Sequence, residues 1–381
     1  MKWATTILIF CVAVLTGLGM VMLYSSSMNM VLGKSAVGAQ LLTAQLAWCF
    51  FAVIGCAVAA SIDYRRLKTI SPYLLAVSVI LLLLVFAPKI GIGRKGAHRW
   101  IGLPGMPHFQ PSELAKLCLI LFLAAYGERF QRLMARFREG LLIPGGIAAI
   151  VLALIFIEPD RGCTILLGLV ACIMLVVAGV RLSFLVPPAL LLMGGLAYSL
   201  LHDPMRLRRI MAWIHPEENK DGVGYQAYQA MLALGSGGWT GLGLGNGRQK
   251  LGFVPEHHTD FIFSIIGEEL GVITTLAVVL LFIVLIICGV YIVRRASDPF
   301  GLLLGTGIIF MIGLQAFINI GVVTSVLPNK GMPLPFISYG GSNLLLMLIS
   351  IGLLLSISRF AADPVKKNNN PFTTATELTN A

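Results

Sequence analysis

The residues best placed to do chemistry lie between Val254 and Gly271, VPEHHTDFIFSIIGEELG, where a polar stretch carrying Glu256, His257, His258 and Asp260 runs directly into a long apolar run. A carboxylate at the boundary between water and hydrocarbon can take a proton from a hydroxyl carried there by a lipid-anchored substrate. Asp260 is therefore the candidate base. Helix capping together with Thr259 explains one Asp at a helix start. It does not explain Glu256, His257 and His258 beside it, nor Glu268 and Glu269 further in. Glu268 falls roughly 12 Å along a helix from Asp260 and about 80° around it, so a shared cavity is one expectation. Zinc ligation through His257 or His258 lacks a third ligand at a recognised spacing.

Four other stretches carry charge in places that need a reason. In RKGAHRWIGLPGMPHFQPSELAKL, Arg94 to Leu117, Pro111 suits a first helical position and Glu113 suits the first turn, where the helix dipole favours an anion. Lys116 stands three residues on, on the same face, inside an apolar run where a charge costs on the order of 3 kcal/mol. A buried Glu113–Lys116 pair facing a helix bundle is the expectation. Arg99, next to Trp100, reads either as an interfacial anchor or as a substrate contact. The turn EPDRG, Glu158 to Gly162, has the Pro and Asp that turns favour for backbone reasons, yet it places two carboxylates and an Arg in one short link. Residues 222 to 250 hold seven glycines between Gly235 and Gly247. No strand or crossover surrounds them, which excludes a dinucleotide fingerprint. Two readings stand: a flexible outer loop, or backbone amides with Arg248 and Lys250 receiving a phosphate. LPNKGMPLPFISYGGSN, Leu327 to Asn343, offers Lys330 and Ser338 on a rigid turn that suits a site wall or a plain connector.

The elements that must position these residues are membrane helices. Of 381 residues 57% are hydrophobic and 12% charged, with mean hydropathy +0.88, which excludes a soluble globular protein. Ten segments are apolar enough to span: residues 4–24, 41–61, 70–87, 111–127, 141–157, 163–180, 183–201, 261–293, 300–326 and 341–360. The eighth is longer than a bilayer requires, so it is tilted or begins above the membrane. The first segment is too long for a signal peptide and ends in no cleavage site. The net charge of +11 sits in short clusters between apolar runs, the placement that sets topology rather than binds nucleic acid.

Lys2, Arg65, Arg66, Lys68, Arg129, Arg132, Arg136, Arg138, Arg181, Arg294, Arg295, Arg359, Lys366 and Lys367 share one side. The short loops opposite hold half as many: Lys34, Lys89, Arg94, Lys95, Arg99, Arg161 and Lys330. The richer side is cytoplasmic, with both termini inside. The long loop 202–260 and all six histidines then lie outside. The seven cysteines fall in or beside apolar runs and read as packing residues. The expectation is an all-α polytopic protein with a single transmembrane domain over 1–362 and a disordered cytoplasmic tail at 363–381.

RKGAHRW, QPSELAKL, EPDRG, GYQAYQA, GLGLGNGRQKLGFVPEHHTDFIFSIIGEELG and PNKGMPLPFISYGGSN together resemble the SEDS family (shape, elongation, division and sporulation), across nearly the whole chain up to the tail. Arg161 and His257 depart from its usual pattern. The PNKG turn and the KGAHRW loop resemble division members more than elongation members. The resemblance implies a peptidoglycan glycosyltransferase of the bacterial inner membrane that polymerises lipid II into β-1,4-linked glycan at the septum, with Asp260 catalytic and Glu113–Lys116 a functional buried pair. It implies a class B penicillin-binding transpeptidase and other division proteins as partners, and an optional divalent cation (Mg or Mn). With the leaving group already a pyrophosphate, the enzyme must deprotonate an acceptor hydroxyl and stabilise phosphate charge. Arg99, Lys116, Arg248, Lys250 and Lys330 are the available cations; Glu256 and Ser338 complete the candidate substrate contacts. A flippase for the same lipid and a non-catalytic division scaffold are the rival readings, since a bundle of helices with buried charges also fits a transport path.

Overall fold

The structure, a computed structural model, describes residues 1–28, 35–87, 91–94, 97–102, 109–202, 204–215, 222, 224–254 and 258–361. Its helices are α1 (Lys2–Met28), α2 (Ser35–Ser61), α3 (Leu67–Leu84), α4 (Pro111–Arg129), α5 (Ile143–Ile157), α6 (Arg161–Val177), α7 (Leu182–Leu201), α8 (Pro204–Ile214), α9 (Tyr225–Ser236), α10 (Ile262–Val293), α11 (Pro299–Val323) and α12 (Gly341–Ala361). Each of the ten expected segments coincides with one helix; α8 and α9 lie in what reads in the sequence as the long outer loop. Among the described residues seven helices are long and apolar enough to cross a membrane, and two more are shorter apolar helices. The chain is a multi-pass membrane protein. The stretch before α4, expected as an irregular loop, contains a small antiparallel hairpin, β1 (Gly91–Arg94) and β2 (Ala97–Ile101), with a bulge between Ile92 and Gly93. The tail expected at 363–381 lies outside the described residues.

Burial sorts the helices. In α12, 78% of the apolar window is buried inside the protein, against 61% in α11 and 11% in α2, so α11 and α12 form the centre and α2 faces lipid on most sides. Around them α12 packs on α2, α11 on α4 and α6, and α1 on α10. With lipid as apolar as the side chains it replaces, such packing rests on close fit and on polar contacts between helices. The large apolar residues exposed along α2 and α3, such as Phe50, Phe51 and Tyr73, are then ordinary lipid contacts.

The extra length of α10 comes from a break. Gly271 has φ 77° and ψ 179°, a conformation outside the helix that glycine alone adopts without strain. Residues 272–293 run about 33 Å at the helical rise and suffice for a span. A break inside a span strands backbone groups at several kcal/mol each unless they find partners. The glycine-rich stretch after α9 supplies them. Leu242 and Gly243 donate their N–H groups to the carbonyls of Glu268 and Glu269, both at 3.0 Å, while Val272 donates to the Gly238 carbonyl at 2.9 Å and Ile273 to that of Trp239 at 3.3 Å.

The connections gather into two faces. On one, Thr5 Oγ1 and Ser358 Oγ lie 2.8 Å apart, joining the start of α1 to the end of α12. There Arg65 Nη2 donates to Ser297 Oγ at 2.7 Å, and Lys68 pairs with Glu128. On the other face Gln45 Oε1 accepts from the Gly340 N–H at 3.3 Å, and Ser342 Oγ from the Gln110 N–H at 3.1 Å. Both helix ends nearest the termini therefore share the arginine-rich face, as the charge count requires. In a background without native cysteines, a cysteine at the exposed Gly222 is expected to react with an impermeant maleimide from outside the cell, and one at Lys366 only after permeabilisation. The reverse pattern would overturn the orientation.

Candidate active site

Asp260 precedes α10 by two residues and is partly exposed. The helix has Phe261 at its N-cap, one residue after Asp260. The backbone up to Asp260 is held by three successive carbonyls. Tyr339 N–H donates to the His258 carbonyl at 3.0 Å, Ser338 Oγ to that of Thr259 at 2.6 Å, and Asn319 Nδ2 to that of Asp260 at 2.8 Å. The carboxylate lies against Gly331, where an added Cβ would come within 2.5 Å of Oδ2. A side chain at position 331 would displace it.

Across that turn stands the EPDRG link. A Cβ at Gly162 would lie 3.8 Å from both Asp160 Oδ1 and the Gly331 carbonyl oxygen, so the start of α6 faces the same turn. Asp160 Oδ1 caps α6 by accepting the Cys163 N–H at 3.1 Å; Oδ2 accepts from Gln110 Nε2 at 3.5 Å and lies 3.9 Å from Arg99 Nη1. Arg99 also donates to the carbonyls of Glu158, from Nε at 3.3 Å, and Pro159, from Nη2 at 2.6 Å. The hairpin is thus fastened to the link between α5 and α6 through one guanidinium, which stays partly exposed. Lys330 belongs to the same cluster. Burial lowers its pKa below the ordinary lysine value and Asp160 pulls it back up. Glu158 is fully buried, and among the described residues neither carboxyl oxygen has a hydrogen-bond partner. Burial, then the charge of Asp160, push its pKa up to about 8, with Arg99 opposing.

The expected Glu113–Lys116 pair forms, at 2.8 Å, with both side chains about 5% exposed or less than a tenth. Asn343 Nδ2 of α12 donates to Glu113 Oε2 at 2.9 Å, and Lys116 Nζ donates to Gln315 Oε1 of α11 at 3.1 Å. Gln315 Nε2 passes on to the Pro333 carbonyl at 2.9 Å, and Asn319, one helical turn later, joins the Met332 carbonyl at 2.6 Å to Asp260. A polar path therefore runs from the buried pair, through α11 and the turn 330–334, to Asp260. Gln315 and Asn319 carry no weight in the sequence reading above, although two amides four residues apart in an apolar helix are a signal of inward-facing contacts. Asp160 is likewise more than turn chemistry.

Three expectations need correction. Lys250 is buried, its ammonium 2.6 Å from Glu269 Oε1 and bonded to Ser25, so it is not placed to meet a phosphate. The glycine loop does present amides to anions, but the anions are the protein's own: Gly245 N–H goes to Glu269, and those of Arg248 and Gln249 go to Glu268. Glu268 therefore faces this loop. The Arg248 side chain remains exposed. Ser338 is buried and holds backbone, donating to Thr259 and accepting the Leu334 N–H at 2.8 Å. Glu256 and His257 lie outside the described residues. Among the described residues no three His, Cys, Asp or Glu side chains converge to hold a metal ion.

The cell cycle protein family of FtsW, RodA and SpoVE matches residues 5–363. A protein of Geobacter metallireducens, "Probable peptidoglycan glycosyltransferase FtsW", is 42% identical over 360 residues, covering 94% of this chain and 95% of that one. "Stage V sporulation protein E" of Bacillus subtilis is 38% identical, covering 93% and 97%. Among solved structures, a chain from "Structural coordination of polymerization and crosslinking by a peptidoglycan synthase complex" superposes with TM-score 0.73 at 26% identity, covering 93% of this chain and 97% of that one. The rod shape determining protein RodA of Thermus thermophilus does so with TM-score 0.68 at 27% identity, with the same coverage. The chain belongs to the FtsW/RodA/SpoVE family.

Glu113→Ala leaves Lys116 charged and buried, and is expected to destabilise the protein by about 3–5 kcal/mol. Removing the exposed Arg65 from its pair with Asp298 should lose about 1 kcal/mol or less. Unfolding in detergent measures both, and equal losses would contradict the buried geometry. Glu158 gives a pH dependence of defined sign. The folded chain holds its proton more tightly than the unfolded one, so stability from this site is full below about 4.5 and is lost as pH rises through about 8. Glu158→Gln should flatten that part of the unfolding-temperature profile.

Proposed function

We propose that this chain is a peptidoglycan glycosyltransferase that polymerises lipid II on the outer face of the membrane, with Asp260 as general base. The observation that carries the reading is the placement of Asp260. It is a partly exposed carboxylate whose backbone is fixed at three carbonyls and which packs on Gly331, the residue after Lys330, in the cluster that also holds Asp160. Family membership and the names of the relatives support the same activity. The FtsW naming of the relatives supports a septal role in division, and the likeness to a chain of a peptidoglycan synthase complex supports a partner, for which a class B penicillin-binding transpeptidase is our reading.

The chemistry follows from the groups present. Asp260 accepts the proton of the acceptor sugar hydroxyl as its oxygen forms a bond to the anomeric carbon of the donor. The bond from that carbon to the pyrophosphate oxygen breaks, and undecaprenyl pyrophosphate leaves with the electron pair. Attack opposite an axial leaving group inverts the carbon and gives a β link. Charge gathering on the leaving phosphate needs a cation already in place. Lys330 and the partly exposed Arg99 are the cations of this cluster, and Arg248 is exposed. Lys116 acts at one remove, through Gln315 and the turn 330–334.

Asp260→Asn keeps the shape but cannot take a proton. Purified protein, with its transpeptidase present, is given labelled lipid II in detergent, where no bilayer exists to flip across. Polymer from wild type and a fall of about 10²- to 10⁴-fold in the variant, with lipid binding retained, is the expected outcome. No polymer from either protein would favour transport or scaffolding, and full activity of the variant would remove Asp260 as the base.

A further inference from the structure

A second buried charged cluster lies at the break in α10. Glu268 Oε1 accepts the N–H groups of Arg248 at 2.7 Å and Gln249 at 3.2 Å; the Gln249 N–H is also 3.3 Å from Oε2. Glu269 Oε1 accepts from Lys250 Nζ at 2.6 Å, and Oε2 accepts from Ser25 Oγ at 2.6 Å and the Gly245 N–H at 3.2 Å. Lys250 and Glu269 have no solvent exposure at all. Gly247 lets the two carboxylates close in, since a Cβ there would stand 2.9 Å from Glu268 Oε2 and from Glu269 Oε1.

The connectivity gives this cluster a purpose. Leu242 and Gly243 are bonded to the backbone carbonyls of Glu268 and Glu269, and residues 245–250 to their side chains. The chain from Leu242 to Glu269 is therefore a closed loop, and Asp260 lies on it, ten residues after Lys250 and eight before Glu268. Both arms that reach Asp260 are tied to the same two carboxylates. We propose that Glu268, Glu269 and Lys250 are positioning residues for Asp260, a clamp that fixes the closed loop so that its carboxylate stays against Gly331. The proposal rests on the reading of Asp260 as the base. It explains why ionised groups are kept in a dry site: hydrogen bonds to a buried carboxylate are stiff, and a partner that lets go leaves a charge uncompensated.

The test uses the full chain with its transpeptidase. Nitroxides at Phe253 and Val326, 49% and 65% exposed, report the separation between the closed loop and the turn region by pulsed electron resonance. Glu268→Gln is expected to broaden that distance distribution and to lower kcat roughly ten- to hundred-fold, the scale of an ångström-sized misplacement, while lipid II binding is unchanged. Gly247→Ala, which only pushes the carboxylates apart, should act in the same direction and serves if Glu268→Gln fails to accumulate. Glu269→Lys should be rescued in part by adding Lys250→Glu. An unchanged kcat in both single variants, or a lost kcat with an unbroadened distribution, would overturn the proposal. Asp260→Asn, run alongside, separates the two readings. If it polymerises, the base assignment fails and the clamp loses its catalytic purpose, whereas the distance distributions still establish or refute the clamp itself.

Discussion

Hydrocarbon does not hydrogen-bond, and a helix interrupted within it must have its free amides and carbonyls met by protein. That constraint shapes the outer half of this molecule. Gly271 interrupts α10, and the glycine-rich segment is drawn into the gap to meet carbonyls on one side and amides on the other. Once the segment is there, its own amides need acceptors, and Glu268 and Glu269 supply them. The next residue inward, Lys250, balances the charge of Glu269. One broken helix thus accounts for the close approach of Gly237, Gly241 and Gly247, for two adjacent carboxylates and for a buried lysine.

The same economy governs the other buried charges. Glu113 and Lys116 lie on α4, yet each is completed by an amide from a different helix, Asn343 of α12 and Gln315 of α11. A pair completed from outside its own helix fixes the relative height of three helices, which apolar packing alone leaves loose. Because Gln315 and Asn319 both reach the turn 330–334, that height is transmitted to the wall of the site.

Much of this was legible in the residues. Ten apolar runs and the lysine and arginine asymmetry suffice for the helices and for the common face of the termini, because the bilayer imposes length and charge rules on any sequence. Glu113 and Lys116 announce themselves by spacing. The glycine loop is half legible: its residues fit a flexible outer loop or amides that receive a phosphate, and nothing local distinguishes a substrate phosphate from a carboxylate 20 residues away on the chain's own helix. Lys250 was misjudged for the same reason, since its partner Glu269 meets it only through the break. Asn319 and Ser338 act on backbone carbonyls, which carry no sequence signature at all.

The burial of α12 has a consequence for the making of the protein. It follows the other described helices in the chain, and its span is the most enclosed of the seven candidate spans among the described residues. Until it inserts, Glu113 lacks the amide of Asn343, and the chain preceding it, with Ser338 and Tyr339, has no anchored end from which to hold the loop of Asp260. A chain cut before Gly341 therefore carries the candidate base without the anchored end of the frame that holds it.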